Sequence, residues 1–101
     1  MGRVFVIELE GAVYTCKECH THLGLPNDII TKKIQATLIT YNFSRLFNTF
    51  LAERKSKPAL QDIFCVGCAN LIGMYRVSDK WGPYWLLRRE LHGPEGSDDE
   101  V

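Results

Sequence analysis

The chain of 101 residues reads as a small, mainly β domain pinned by zinc. Three observations predict this class. Four cysteines fall into two matched pairs, Cys16-Lys17-Glu18-Cys19 and Cys65-Val66-Gly67-Cys68, and the chain has no others. Each pair is flanked by short runs of β-branched and aromatic residues, which fit a pleated sheet. The hydrophobic share of 46% and aromatic share of 11% support a modest core rather than a disordered chain.

Taken in order, residues 4–9 (VFVIEL) are rich in β-formers and predict a strand, which Gly11 breaks. Val13-Tyr14-Thr15 leads into the first pair. Leu25-Pro26-Asn27-Asp28 is a turn signal. Residues 34–41 (IQATLITY) predict a strand, Ile63-Phe64 runs into the second pair, and residues 71–77 (LIGMYRV) predict another strand. Trp81-Gly82-Pro83 is a turn, and residues 84–91 (YWLLRREL) form a final strand or helix. On this reading residues 1–92 are one domain and 93–101 an acidic, solvated tail. Each half carries a strand, a cysteine knuckle and another strand.

The centre has a different period. Phe43, Leu46, Phe47, Phe50 and Leu51 recur at i, i+3, i+4, i+7 and i+8, which predicts one short helix over 43–54. Asn42 suits its start and Arg54-Lys55 its end. The basic cluster Arg54-Lys55-Ser56-Lys57, followed by Pro58, reads as a solvated loop.

The cysteine pairs carry the chemistry. A C-x-x-C spacing turns two thiolates toward one point, and two such pairs complete a tetrahedral Zn²⁺ site. Cys16, Cys19, Cys65 and Cys68 are therefore the expected ligands of one structural zinc ion per chain. Full sulfur ligation leaves no open position for water, so the ion is expected to hold structure rather than to catalyse. Four thiolates on Zn²⁺ carry a net negative charge, which knuckle N–H groups, Lys17 and Arg76 are expected to answer. Gly67 suits the tight turn. Residues 20–64 separate the pairs, far more than the roughly 15–20 residues of a compact zinc ribbon, so the metal must tie two halves of the domain together.

Two other readings of the cysteines stand beside zinc. Cys16-Lys17-Glu18-Cys19-His20 matches the haem-attachment pattern C-x-x-C-H, but this requires export and leaves the second pair unexplained. A thioredoxin-like redox pair needs a βαβ context that neither pair has. His20 and His22 offer a substitute ligand or a hydrogen bond to one. The simpler reading is exposed loop histidines, because four cysteines already fill the site. Tyr75, Trp81, Tyr84 and Trp85 are candidates to line a groove for a peptide or small ligand. The simpler reading for them is packing in core and sheet.

Lys plus Arg and Asp plus Glu balance at 12 each, giving zero formal charge. This argues against a protein whose main task is gripping nucleic acid or an anionic membrane. No stretch approaches the roughly 20 apolar residues of a membrane span. The apolar run in residues 1–10 is short and cut by Glu8, unlike a secretory leader. Nucleus or cytoplasm is the expected location, where thiols stay reduced and paired cysteines bind metal.

The segments MGRVFVIELEG, YTCKECHTHLGLPNDII and DIFCVGCANLIGMY, the last with Gly73 and Tyr75 after the second knuckle, resemble the Yippee family and its plant members in particular. KWGPYWLLRREL looks like a diverged form of the family's last strand. The resemblance implies zinc on Cys16, Cys19, Cys65 and Cys68, and a β-tent of two antiparallel sheets meeting near the metal. Related folds occur in the ligand-binding domain of cereblon and in B-type methionine sulfoxide reductases. It further implies protein partners, nuclear and cytoplasmic residence, and ties to cell division or ubiquitin-ligase assemblies. The chain departs from the family pattern over residues 33–57, which lack glycine, and at Met74, where the family carries Trp. A helix in place of the central hairpin, or poor packing there, is the expected consequence.

The expected function is a non-enzymatic, zinc-bound protein-interaction module, a scaffold or adapter. The alternative is a small-ligand or degron reader built on Trp81 and Trp85. A methionine sulfoxide reductase is less favoured, because it needs a nucleophilic cysteine beyond the metal ligands and none is left. A nucleic-acid-binding ribbon is disfavoured by the neutral charge.

Overall fold

The β-forming runs around each cysteine pair fold as hairpins. A computed structural model describes residues 7–53, 60–76 and 82–94. Its strands are β1 (Tyr14–Cys16), β2 (His22–Gly24), β3 (Ile29–Gln35), β4 (Leu38–Phe43), β5 (Thr49–Glu53), β6 (Leu60–Cys65), β7 (Leu71–Arg76), β8 (Tyr84–Leu87) and β9 (Leu91–His92). Short 3-10 turns lie at Pro26–Asp28 and Arg88–Glu90, and the described residues contain no α-helix. Every strand pairing is antiparallel. The strands form a three-stranded sheet, β2-β1-β9, and a six-stranded sheet, β3-β4-β8-β7-β6-β5. These are the two sheets of the tent that the resemblance implied.

The core lies between them. Tyr14, Leu23 and Leu91 from the small sheet meet Tyr41, Phe43, Ile63, Ile72 and Leu86 from the large one. Tyr14 sits edge-on to Tyr41 and Phe43, with ring centroids 5.7 and 5.9 Å away, a favoured geometry for aromatic quadrupoles. Arg88 is buried at 2% exposure. Its Nη1 donates to the Leu91 carbonyl at 2.8 Å and its guanidinium lies over Tyr41.

Residues 43–53 contradict the predicted helix. Phe43 closes β4 and is fully buried. The chain then bends, the Phe47 N–H donates to the Leu23 carbonyl, and Asn48 takes a left-handed φ of 58° that no α-helix admits. Phe50 and Leu51 follow on opposite faces of β5. Phe50 is exposed and stacked on Phe64 at 5.3 Å, while Leu51 packs against the core. A strand end, a bend and a second strand thus reproduce the helical spacing. The stretch gains ladder partners in β6, whereas an isolated helix of this length is marginal in water.

The predicted strand over 34–41 is divided. Gln35 pairs with Leu38 across the two-residue turn Ala36-Thr37, and Ala36 takes the positive φ of 52° that such tight hairpins require. The central hairpin therefore survives without glycine, correcting the expectation of a helix or poor packing there. Of the predicted strand over 4–9, the described part, residues 7–9, joins no strand ladder. Asn48 clamps it instead, receiving the Ile7 N–H on Oδ1 at 2.7 Å and donating from Nδ2 to the Ile7 carbonyl at 2.8 Å. Residues 84–91 form β8 followed by a 3-10 turn. The basic cluster 54–57, the turn residue Trp81 and the acidic stretch 95–101 lie outside the described residues.

Candidate metal centre

The two cysteine pairs sit on two copies of one local structure. In the first, the His20 N–H donates to the Cys16 carbonyl and the Cys16 N–H to the Thr21 carbonyl. In the second, the Ala69 N–H donates to the Cys65 carbonyl and the Cys65 N–H to the Asn70 carbonyl. The residue after each second cysteine is left-handed, His20 at φ 65° and Ala69 at φ 62°. That conformation turns the chain back and leaves both sulfurs of a pair on its inner side. Cys16 ends β1 of the small sheet and Cys65 ends β6 of the large one, so the knuckles lie where the sheets meet.

All four sulfurs lie within 4.8 Å of one another. Cys16 Sγ is 3.7 Å from Cys68 Sγ, and Cys19 Sγ is 3.5 Å from Cys65 Sγ. Zn–S bonds of about 2.3 Å at tetrahedral angles place sulfurs about 3.8 Å apart, so this donor set fits a zinc-sized ion. Cys16 and Cys65 are buried, Cys19 is half-buried and Cys68 is exposed. The site therefore has two deep and two shallow ligands. It draws on every cysteine in the chain.

Polar groups around the sulfurs favour thiolates. The Gly67 N–H donates to Cys65 Sγ at 3.3 Å, and Thr21 Oγ1 lies 2.9 Å from Cys19 Sγ. A side chain at Gly67 would collide with Thr21 Oγ1 and with Cys19 Sγ of the opposite knuckle, so glycine there permits the close approach. Glu90 joins the knuckles: its carbonyl receives the Lys17 N–H at 3.0 Å and its Oε1 the Asn70 Nδ2 at 2.9 Å. Asn48 is a second joint, donating to the His22 carbonyl at 2.6 Å while its own carbonyl receives the Val66 N–H. The sequence flagged neither Glu90 nor Asn48, which reach the site from a 3-10 turn and a bend far from the cysteines they serve, nor Thr21, which lies two residues after Cys19 but belongs to no ligand spacing rule.

Other expected contributors are placed differently. Lys17 joins through its backbone. Arg76 pairs with Leu60 at the end of β6 remote from Cys65, and its guanidinium lies 5.2 Å from the Trp85 ring centroid, so it does not serve the sulfurs. His20 is exposed, 6.4 Å from His92 by ring centroids. His22 Nδ1 accepts the Leu9 N–H at 2.9 Å. The three described members of the aromatic set are divided between sheet faces. Tyr75 pairs with Tyr84, rings 4.9 Å apart, against the core. Trp85, opposite Met74, points to the other face.

Without metal, burial pushes the Cys16 thiol up to about 12 and also raises Cys68. For Cys19 burial opposes ionisation, but hydrogen bonds from the Thr21 side chain and backbone outweigh it and lower the thiol to about 7. Metal binding requires thiolates and so releases protons. Cys16 and Cys68 are thiols at neutral pH whether held in the cluster or freed to ordinary values, so binding expels at least two protons. Metal affinity is therefore expected to fall as pH falls, by at least about a hundredfold per unit around pH 7, one decade per proton. Competition titrations with a chromophoric chelator at several pH values check this. A slope clearly below about two decades per unit refutes it.

A small two-sheet antiparallel domain joined through a tetracysteine centre is the class that fold and site define. No family model matches the chain. Curated sequences do. One yippee-like protein of Arabidopsis thaliana is 38% identical over 110 residues, covering 95% of this chain and 86% of the relative. A second from the same plant is 35% identical, covering 100% of this chain and 95% of the relative. The yippee-like protein of Solanum tuberosum is 35% identical, covering 96% and 86%. The chain belongs to the Yippee family.

Proposed function

We propose that this Yippee protein is a zinc-bound, non-enzymatic interaction module that scaffolds or adapts protein partners in the nucleus and cytoplasm. The observation that carries the reading is the convergence of all four cysteines on one point. Tetrathiolate coordination closes the metal to substrate and leaves no thiol free as a nucleophile. The tetrahedral sulfur spacing supports zinc as the ion. A role in cell division or ubiquitin-ligase assemblies belongs to the same proposal.

The test is affinity capture with the metal-loaded chain, beside a methionine sulfoxide turnover assay. The expected result is a reproducible partner set, lost with Cys65→Ser, and no turnover. Failure to retain any reproducible partner, or turnover above buffer, overturns the reading.

A further inference from the structure

The large sheet is covered by the small one on a single face. Its other face carries an apolar trough of about 370 Å³, floored by Leu38, Leu71, Met74, Trp85 and Leu87. The apolar surface continues past Leu71 through Phe64, its cross-strand neighbour, to Phe50, which is stacked on Phe64. The strip thus crosses β4, β8, β7, β6 and β5. At about 4.8 Å per strand it is about 19 Å long, the reach of about six extended residues. Its shape suits a peptide rather than a compact small molecule.

Its charges select the kind of peptide. Lys33 Nζ lies 4.3 Å and the Arg76 guanidinium 5.2 Å from the Trp85 ring centroid. Neither cation has a carboxylate partner among the described residues. Asp62 also lines the trough but is engaged by another group. The Trp85 Nε1–H is buried with no hydrogen-bond acceptor among the described residues, where buried indole N–H groups normally have one. Two cations with no carboxylate partner among the described residues thus flank an apolar floor.

From this we infer that the outer face of the six-stranded sheet docks an extended partner segment in which apolar side chains are flanked by Asp or Glu. The apolar side chains occupy the trough and the carboxylates meet Lys33 and Arg76. The inference rests on the interaction-module reading and names its surface and partner chemistry.

The experiment selects a random peptide library on phage against the full zinc-loaded chain, then measures recovered peptides by fluorescence anisotropy. The expected consensus joins large apolar residues to acidic ones. Affinity is expected to fall about tenfold in the K33Q/R76Q double variant and to weaken with salt, because exposed charges are screened. A consensus without acidic residues, binding indifferent to K33Q/R76Q, or no enrichment overturns the inference. So does sedimentation showing a dimer that Leu71→Asp dissociates, since a second copy would then cover the face. Partner capture that survives K33Q/R76Q overturns this surface alone and leaves the module reading standing, whereas absence of any captured partner removes the module reading itself.

Discussion

Removal of bound metal by a strong chelator is expected to abolish the cooperative fold, seen as loss of the β circular dichroism signal and of a thermal transition. The small sheet consists of strands of 3, 3 and 2 residues, too short to persist alone. Cys16 on β1 and Cys65 on β6 fasten it to the large sheet. Structural zinc in small peptides contributes about 10–16 kcal/mol of apparent binding free energy at neutral pH, against about 5–15 kcal/mol for the net stability of an ordinary domain. Its loss is therefore not offset by the remaining contacts. An unchanged spectrum and melting curve after complete metal removal refutes the expectation.

The second large effect falls on Gly73. It is buried in β7, pairing with Ile63 on one side and Leu86 on the other. A Cβ there would run into the backbone carbonyl of Trp85 and lie 3.0 Å from Leu86 Cα. These are backbone atoms of a paired strand and cannot rotate aside, so β7 and β8 must separate. Gly73→Ala is expected to destabilise by about 3 kcal/mol, at the upper end for overpacking. The melting temperature should fall by more than about 10 °C in a domain of this size. Calorimetry on the metal-loaded protein checks this, and an unshifted midpoint sinks it. The family pattern marked this glycine in the sequence, but only the pairing with Leu86 gives the reason.

How far the site was legible depended on how local its determinants are. The cysteine pairs were readable because C-x-x-C is a short-range geometric device and the chain has no surplus cysteine to confuse the assignment. Glu90 and Asn48 were not readable as parts of the site, because each reaches it through contacts that chain folding creates. Arg76 was assigned to the sulfurs from its proximity in sequence to Cys68. A six-residue strand carries it to the opposite end of the hairpin, over Trp85.

The same distinction governs the fold. The chain by itself determined the mainly β class, the tetracysteine centre and the echo of strand, knuckle and strand, since residue type, period and short spacing act locally. Tertiary structure decided the centre of the molecule. Phe43, Leu46, Phe47, Phe50 and Leu51 carry a helical period. They became strand, bend and strand because β8 and β6 offer complete ladders to β4 and β5, and an isolated short helix has nothing comparable to gain. It also decided which aromatics share a face. Adjacent strand residues alternate sides, so Tyr84 joined the core and Trp85 the open face, a separation fixed by the register of β7 on β8.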